Sequence, residues 1–221
     1  MDITSNIIDE NSKIPAGISR IKYMPYSEII SKNVWNQIAL KYINNLRYDQ
    51  FNKSIWSELI KYVHSDESCK YDLNRSIALI GRTGAGKTKT MQIMSEYMTI
   101  DDVKFIKNGK LIKFNYKIIS SRDIVSQYST LGYDAIQKYI MITNICIDDL
   151  GSETANAKHY GTELNVIEEI IEQRYSKELI THFTSNLDME GILNIYGSRV
   201  HSRLSQMCNI EIMNGNDYRL I

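Results

Sequence analysis

Several features that would restrict the function of this chain are missing from its sequence. Its only cysteines are Cys69, Cys146 and Cys208, which form no C-x-x-C pair and have no histidine at metal-ligand spacing. A disulfide framework and a zinc site are therefore not expected. The chain also has no excess charge, because 26 basic residues balance 26 acidic ones. Any binding of nucleic acid must rest on a local patch and not on the overall charge.

Long hydrophobic runs and a targeting segment are missing as well. No stretch approaches the roughly 18 apolar residues that a membrane-spanning helix needs. The N-terminus has no basic segment followed by an apolar one, so the sequence does not predict export. Together with the unpaired cysteines, these observations predict a cytoplasmic protein without membrane association.

The apolar pattern predicts one α/β domain preceded by a short helical segment. A length of 221 residues with 43% hydrophobic content suits one core better than two. Residues 1–26 show no sustained period and predict an irregular leader. Helical spacing from Tyr26 to His64 predicts two amphipathic helices. We place a boundary after residue 70, with leader and helical linker at 1–70 and the core at 71–221.

Within the core, strand-like and helical patterns alternate. This alternation predicts a mostly parallel sheet with helices on both faces. The expected strands lie at 76–80, up to about 119, at 145–147, 179–184 and 210–213. The expected helices lie at 87–98, in segments up to about 141, at 164–175 and through 200–204.

A phosphate-binding loop follows the first core strand. Residues 81–88 match G-x-x-x-x-G-K-[ST] between a predicted strand and a predicted helix, which is the context that the motif requires. Glycines let backbone N–H groups surround phosphates, Lys87 can reach the β/γ-phosphates, and the Thr88 hydroxyl can coordinate Mg²⁺. A glycine turn without a ligand is the alternative. We expect ATP to contact Gly81, Thr83, Gly84, Ala85, Gly86, Lys87, Thr88 and Lys89.

Polar residues end two further strands. Asp148 and Asp149 follow Ile145–Ile147, as in a Walker B motif, so Asp148 is expected to hold Mg²⁺ with Thr88, and Asp149 to orient the attacking water. The alternative is a helix cap. At the position of Asp149 a glutamate is more usual, and another acidic residue, Glu153, lies nearby in the sequence. Glu153 is therefore a second candidate for the residue that orients water. Asn186, in Thr-Ser-Asn, is expected to position water as a sensor 1 residue, or else to form a turn.

Five strings, in order and spacing, carry a family resemblance over about residues 14–221: ICIDDLGSE, NVIEEIIEQRY, THFTSNLD, YGSRVHSRLSQ and NGNDYR. They resemble the DnaC-type helicase loaders and the related IstB-type transposition helpers, which are AAA+ P-loop ATPases. The resemblance implies that Arg203 acts as an arginine finger on a neighbouring subunit's γ-phosphate, with Arg199 as the rival. It also implies a sensor 2-like role for Arg219. Solvated arginines are the alternative.

The resemblance implies an ATP-hydrolysing protein of DNA replication, with a transposition helper as the alternative. The implied partners are a replicative helicase or a transposase, single-stranded DNA, and further copies in an ATP-dependent homo-oligomer. About 70 residues precede the core, too few for a full helicase-gripping domain, and no C-terminal lid domain is expected after Arg219. A P-loop kinase that acts on a small molecule is a further alternative, but it gives no role to Arg199 and Arg203. A binding module that is gated by nucleotide and does not hydrolyse it is another, which the aspartate at position 149 in place of glutamate supports to some extent.

Lysines cluster around Asn108-Gly109, a dipeptide typical of two-residue hairpin turns. Such a turn would place like charges opposite each other, a repulsion that phosphates would relieve. The patch is therefore a candidate DNA contact, and a solvated hairpin is the alternative. The lysines concerned are Lys104, Lys107, Lys110, Lys113 and Lys117.

Overall fold

The structure is a computed structural model that describes residues 19–21, 27–43, 50–100, 104–107, 110–113, 115–215 and 217. The strands are β1 (Ser19–Ile21), β2 (Ser76–Ile80), β3 (Lys104–Lys107), β4 (Lys110–Lys113), β5 (Lys117–Ser120), β6 (Asn144–Leu150), β7 (Ala157–His159), β8 (Thr162–Leu164), β9 (Ile180–Ser185) and β10 (Cys208–Ile212). The helices are α1 (Glu28–Tyr42), α2 (Gln50–Val63), α3 (Lys87–Ile100), α4 (Ser121–Leu131), α5 (Tyr133–Met141), α6 (Val166–Ser176) and α7 (Met189–Met207). The alternation from β2 onward confirms the predicted α/β organisation.

Five strands form one parallel sheet in the order β10-β2-β9-β6-β5. The strand β2, which leads into the phosphate-binding loop, lies between β10 and β9. All of its residues are buried, as expected for a central parallel strand. Because the strands share one direction, their carboxyl ends lie along one edge of the sheet. That edge brings together the loop after β2, the acidic end of β6 and the residue after β9.

Different helices cover the two faces of this sheet, since side chains alternate along each strand. Ile77 and Leu79 pack in a core layer with α1, α2 and α3, whereas Ala78 and Ile80 pack with α4, α5, α6 and α7. The two helices that precede β2 therefore share a core with the strand that carries the loop. The boundary after residue 70 stays a prediction. Among the described residues, no helix is long and apolar enough to cross a bilayer.

Three short strands lie where the sequence predicted none. The leader, predicted to be irregular, contains β1, which pairs antiparallel with β3. After β6, β7 and β8 form a small antiparallel hairpin with Tyr160 at φ 45° and Gly161 at φ 86°. A strand of three residues shows no period, and its cross-strand partner, not its own propensity, defines it. The prediction of an irregular leader was therefore wrong for Ser19–Ile21.

A fully buried arginine connects α5, α6 and β9. Arg174, in α6, donates hydrogen bonds of 2.7 Å to the carbonyl oxygens of Tyr139, Ile142 and Ile180, and its Nε donates to Thr181 Oγ1 at 2.8 Å. Burial lowers the pKa of Arg174 to about 10, so the guanidinium is charged at neutral pH. The side chain thereby satisfies carbonyls at the end of α5 that no helix bond can reach.

We expect Arg174→Met to lower the free energy of unfolding by about 3–5 kcal/mol, because it leaves several buried carbonyl oxygens without donors. Urea unfolding measures this change. Arg122→Met is the matched control, since Arg122 is exposed and its Nε makes one 2.8 Å hydrogen bond to the Ser152 carbonyl. The control should lose less than about 1 kcal/mol. Equal losses in both variants would show that burial of Arg174 does not matter.

Candidate nucleotide site

The loop between β2 and α3 has the backbone shape that phosphate binding requires. Gly81, Gly84 and Gly86 all have positive φ, at 130°, 83° and 89°. A Cβ on Gly84 would overlap the Asp217 carboxylate, so a larger residue there would have to displace that side chain, and the positive φ favours glycine in any case. The loop ends at the first turn of α3, where free N–H groups favour anions.

Lys87 is the first residue of α3, and it is 5% exposed. Its Nζ donates to the carbonyl oxygens of Gly81 at 2.8 Å and Arg82 at 2.7 Å. It also donates to Asn186 Oδ1 at 2.8 Å. The ammonium group therefore connects the loop with the residue that follows β9, at the edge where the parallel strands end.

Thr88 and Asp148 meet as the metal prediction requires. The Thr88 hydroxyl donates to Asp148 Oδ1 at 2.8 Å, and the Thr184 hydroxyl donates to the same oxygen at 2.7 Å. A hydroxyl and a carboxylate are hard oxygen ligands of the kind that Mg²⁺ prefers. These two side chains thus fit a shared magnesium ion.

A bulge at the end of β6 presents both acidic residues at this edge. The strand pairs with β9 at Ile147 and next at Leu150, so two residues of β6 lie opposite Thr184 alone. Asp149 has φ 54°, an uncommon value for a residue with a side chain. Its N–H donates to Thr184 Oγ1 at 2.9 Å, which helps to hold this conformation. Bulges of this kind often lie beside active sites, where they redirect side chains.

Asn186 joins the two halves of the site. Its Oδ1 accepts from Lys87, and its Nδ2 donates to Asp149 Oδ1 at 3.4 Å. Glu153, the neighbouring acidic candidate, instead accepts from Gly151 N–H at 3.0 Å and from the Tyr196 hydroxyl. Of the two acidic residues, Asp149 is therefore the one linked to the loop lysine through Asn186.

The remaining predicted loop residues differ in their exposure to solvent. Ala85 is fully buried and Thr83 is exposed. Lys89 is exposed, and its Nζ lies 5.7 Å from the centre of the Tyr42 ring, so its side chain points towards α1. The contact of Lys89 with ATP stays a prediction.

The two finger candidates share one carboxylate on α6. Arg203 Nε donates to Glu172 Oε1, and Arg199 lies 2.9 Å from Glu172 Oε2. The hydrogen bond to Glu172 raises the pKa of Arg203, and the Arg203 guanidinium lies 4.5 Å from the centre of the Tyr175 ring. The Arg203 side chain is 22% exposed and that of Arg199 is 67% exposed. Arg219 lies outside the described residues.

A cavity of about 300 Å³ lies along α6 beside Arg199. None of its lining residues belongs to the loop or to the acidic strand end, so it is distinct from the nucleotide site. Its walls are formed by Leu164, Asn165, Glu168, Glu169, Glu172, Gln173, Ser176 and Arg199.

Two contributors to the site were not predicted from the sequence. Thr184 contacts Asp148 and the backbone of Asp149, and its position in Thr-Ser-Asn at a strand end was the available signal. Asp217 lies against Gly84 although the two residues are far apart in the sequence, and no local sequence pattern indicates this contact.

Several solved structures share this fold at low sequence identity. The DnaC helicase loader is 17% identical, with 83% of this chain and 99% of that chain covered and a TM-score of 0.56. DnaI is 17% identical, with 89% and 95% covered and a TM-score of 0.58. Replication initiator DnaA bound to AMPPCP and single-stranded DNA is 16% identical, with 80% and 50% covered and a TM-score of 0.51. No protein-family model and no curated protein sequence matches this chain.

At these identities the similarity establishes the fold. The chain has the α/β fold of AAA+ P-loop domains, with a parallel sheet between helices, as the sequence predicted. The predicted resemblance to helicase loaders is confirmed at this level.

Proposed function

We propose that this chain, which has the fold of the DnaC-type helicase loaders, is an ATP-binding and ATP-hydrolysing protein of DNA replication that acts on a replicative helicase. The observation that carries the proposal is the meeting of Lys87, Thr88, Asp148 and Asn186 at one sheet edge through hydrogen bonds of 2.8 Å. These residues come from the loop and from two other strand ends. A loop that served only as a turn would need no such convergence.

ATP would be held by the loop residues that the structure describes. Lys87 would exchange acceptors of the protein for phosphate oxygens, and the backbone N–H groups at the start of α3 would add favourable dipoles. Thr88 and Asp148 would hold Mg²⁺, which neutralises charge on the β- and γ-phosphates. Asp149 would orient the attacking water, with Asn186 fixing its carboxylate relative to Lys87.

We expect Asp148→Asn to lower Mg²⁺-dependent ATP turnover at least about tenfold, because an amide cannot supply the charge that a magnesium site needs. The amide oxygen can still accept from Thr88 and Thr184, so the fold should persist. Phosphate release assays and thermal melting measure the two effects. Asp123→Asn, an exposed carboxylate on α4, is the control and should match the unmodified protein. Full turnover in Asp148→Asn would place the metal carboxylate elsewhere.

The helicase role is tested separately from ATP chemistry. The tagged full chain, loaded with ATP and Mg²⁺ and incubated with lysate of its native host, should retain the replicative helicase, as read by mass spectrometry. The Asp148→Asn variant, whose fold should be intact, is used in the same way as the comparison for the ATP-loaded chain. Retention of a transposase in place of a helicase would favour the transposition-helper alternative.

A further inference from the structure

One hydroxyl group contacts both acidic residues at the end of β6. The Thr184 hydroxyl donates to Asp148 Oδ1 at 2.7 Å and accepts from the Asp149 N–H at 2.9 Å. A hydroxyl has one proton to donate and two lone pairs that accept, so it can make both bonds at once. Thr184 therefore connects the carboxylate that fits Mg²⁺ with the backbone of the neighbouring acidic residue.

Solvent cannot take over the role of this hydroxyl. Thr184 is fully buried in β9, which lies between β2 and β6. Without its oxygen, Asp148 Oδ1 would lose one of its two hydroxyl donors, and the Asp149 N–H would lose its acceptor. Because water does not reach a fully buried side chain, these lost bonds would stay unreplaced. Both contacts therefore depend on Thr184 itself.

The backbone of Asp149 is held from two sides in its uncommon conformation, with φ at 54°. Its carbonyl oxygen accepts from the Ser121 hydroxyl at 2.9 Å and from the Ser152 N–H at 3.0 Å. Its own N–H donates to Thr184. Conformations of this kind persist where the surrounding bonds determine them, and they cluster at functional sites. Loss of the Thr184 oxygen would therefore free the N–H side of Asp149.

A second buried threonine of the same strand shows what a structural hydroxyl does. Thr181 is also fully buried, and its hydroxyl accepts from Arg174 Nε at 2.8 Å and donates to the Leu179 carbonyl oxygen at 3.0 Å. Neither partner belongs to the candidate nucleotide site. For Thr184, support of the bulge would require only the bond to a backbone N–H. Its additional bond to the Asp148 carboxylate contributes nothing to strand pairing and instead orients an ionisable group.

We propose that Thr184 is a positioning residue of the nucleotide site, which holds Asp148 for Mg²⁺ and Asp149 for the attacking water. This inference rests on the proposed function and adds to it a residue that acts through the two acidic ones. Groups that hydrogen-bond a metal-binding carboxylate orient it, and their loss typically lowers metal affinity or activity about 10–100-fold. Since one hydroxyl holds both residues, its loss should weaken Mg²⁺ binding and the chemical step together.

The test compares the unmodified full chain with Thr184→Val, which has nearly the same shape but no hydroxyl. Half-maximal ATP turnover should require at least about tenfold more Mg²⁺, and turnover at saturating Mg²⁺ should fall at least about tenfold. ATP affinity without Mg²⁺ should stay within about twofold, because the two acidic partners of Thr184 belong to β6 and not to the phosphate-binding loop.

Two further variants at the same position isolate the hydroxyl. Thr184→Ser retains this group and should restore the Mg²⁺ requirement and the turnover to within about threefold of the unmodified values. Thr184→Ala removes the hydroxyl without adding a methyl group, and it should reproduce the losses of Thr184→Val. Equal losses in Thr184→Ser would show that the hydroxyl is not the group that matters and would overturn the inference.

Thr181→Val is the matched control for lost stability. It is the same substitution at a fully buried position of the same strand, and it also removes two hydrogen bonds. Both valine variants should melt earlier than the unmodified protein, since each leaves polar groups unpaired. At a temperature below both transitions, only Thr184→Val should show the raised Mg²⁺ requirement. An equal rise in Thr181→Val would assign the effect to stability and not to positioning.

The ratio of the ATP affinities with and without Mg²⁺ separates failure of this inference from failure of the proposed function, because it requires no hydrolysis. Calorimetry should give a ratio about tenfold lower in Thr184→Val than in the unmodified chain. An unmodified chain that binds ATP without turnover would contradict the proposed hydrolysis, whereas a lowered ratio would still support the role of Thr184 towards Asp148. An unchanged ratio would overturn that role. No binding of ATP by the unmodified chain would overturn both proposals.

Discussion

Replacing Lys87 with alanine is expected to weaken ATP binding by about 100-fold, as measured by calorimetry with Mg²⁺ present. Lys87 is the buried cation of the loop, and its ammonium group already lies among the loop carbonyls and Asn186. Charge-assisted hydrogen bonds to phosphate oxygens contribute on the order of 3 kcal/mol, which corresponds to that loss of affinity.

Lys89→Ala is the matched control for this variant. Both lysines belong to the first turn of α3, but the Lys89 ammonium lies beside the Tyr42 ring, so its removal should change ATP affinity by less than about threefold. Thermal melting without ATP checks that Lys87→Ala still folds, because the substitution also removes donors to the Gly81 and Arg82 carbonyls. A folded Lys87→Ala protein that binds ATP as tightly as the unmodified chain would refute the site.

Replacing Arg203 with alanine is expected to leave ATP affinity nearly unchanged and to lower turnover about 1,000-fold, if Arg203 acts on a neighbouring subunit's nucleotide. The guanidinium would stabilise charge that develops only in the transition state, so binding and chemistry should separate. In the single chain Arg203 is paired with Glu172 and lies over Tyr175, so it would have to exchange these partners on assembly.

Arg199→Ala is the comparison that assigns the finger. Arg199 shares the Glu172 carboxylate with Arg203 but is far more exposed, so both variants disturb the same ion pair. Loss of turnover in Arg199→Ala alone would transfer the role to Arg199. Equal small losses in both would indicate that the two arginines only stabilise the packing of α6 against α7.

Mixing two inactive variants tests whether the site is shared between subunits. Arg203→Ala supplies an intact loop, and Lys87→Ala supplies an intact Arg203, so a mixed assembly should recover part of the turnover. Specific activity of the unmodified protein should also rise with its concentration. Activity that is independent of concentration, with no recovery in the mixture, would assign Arg203 a structural role.

Much of the fold could be predicted because the hydrophobic periodicity of the sequence agreed with the position of the phosphate-binding motif. Strand β2 is apolar from Ile77 to Ile80 and ends at a glycine-rich loop, and this combination indicated the position of the sheet edge. The short strands β1, β7 and β8 could not be predicted, since three residues carry no period and their partners are distant in sequence or set by a turn.

The motif residues of the site were also predictable, whereas their geometry was not. The sequence placed Thr88 at the start of a helix and Asp148 at the end of a strand. A parallel sheet brings such positions together at one edge. The bulge at Asp149 was not predictable, because it depends on one extra residue opposite Thr184 in another strand. Arg174 looked like an ordinary helical residue, and only the tertiary packing shows the four carbonyl oxygens that surround it.

The strand order of the parallel sheet affects how the protein folds during synthesis. The loop-bearing strand β2 pairs with β9 and β10, and Ser76 finds its partner in Cys208, more than a hundred positions later. A ribosome adds about 5–20 residues each second, so β2 leaves it on the order of ten seconds before its neighbours. During that interval an apolar strand has neither partner, and such strands are prone to aggregate. The nucleotide loop therefore becomes one of the last parts of the nascent chain to reach its native shape.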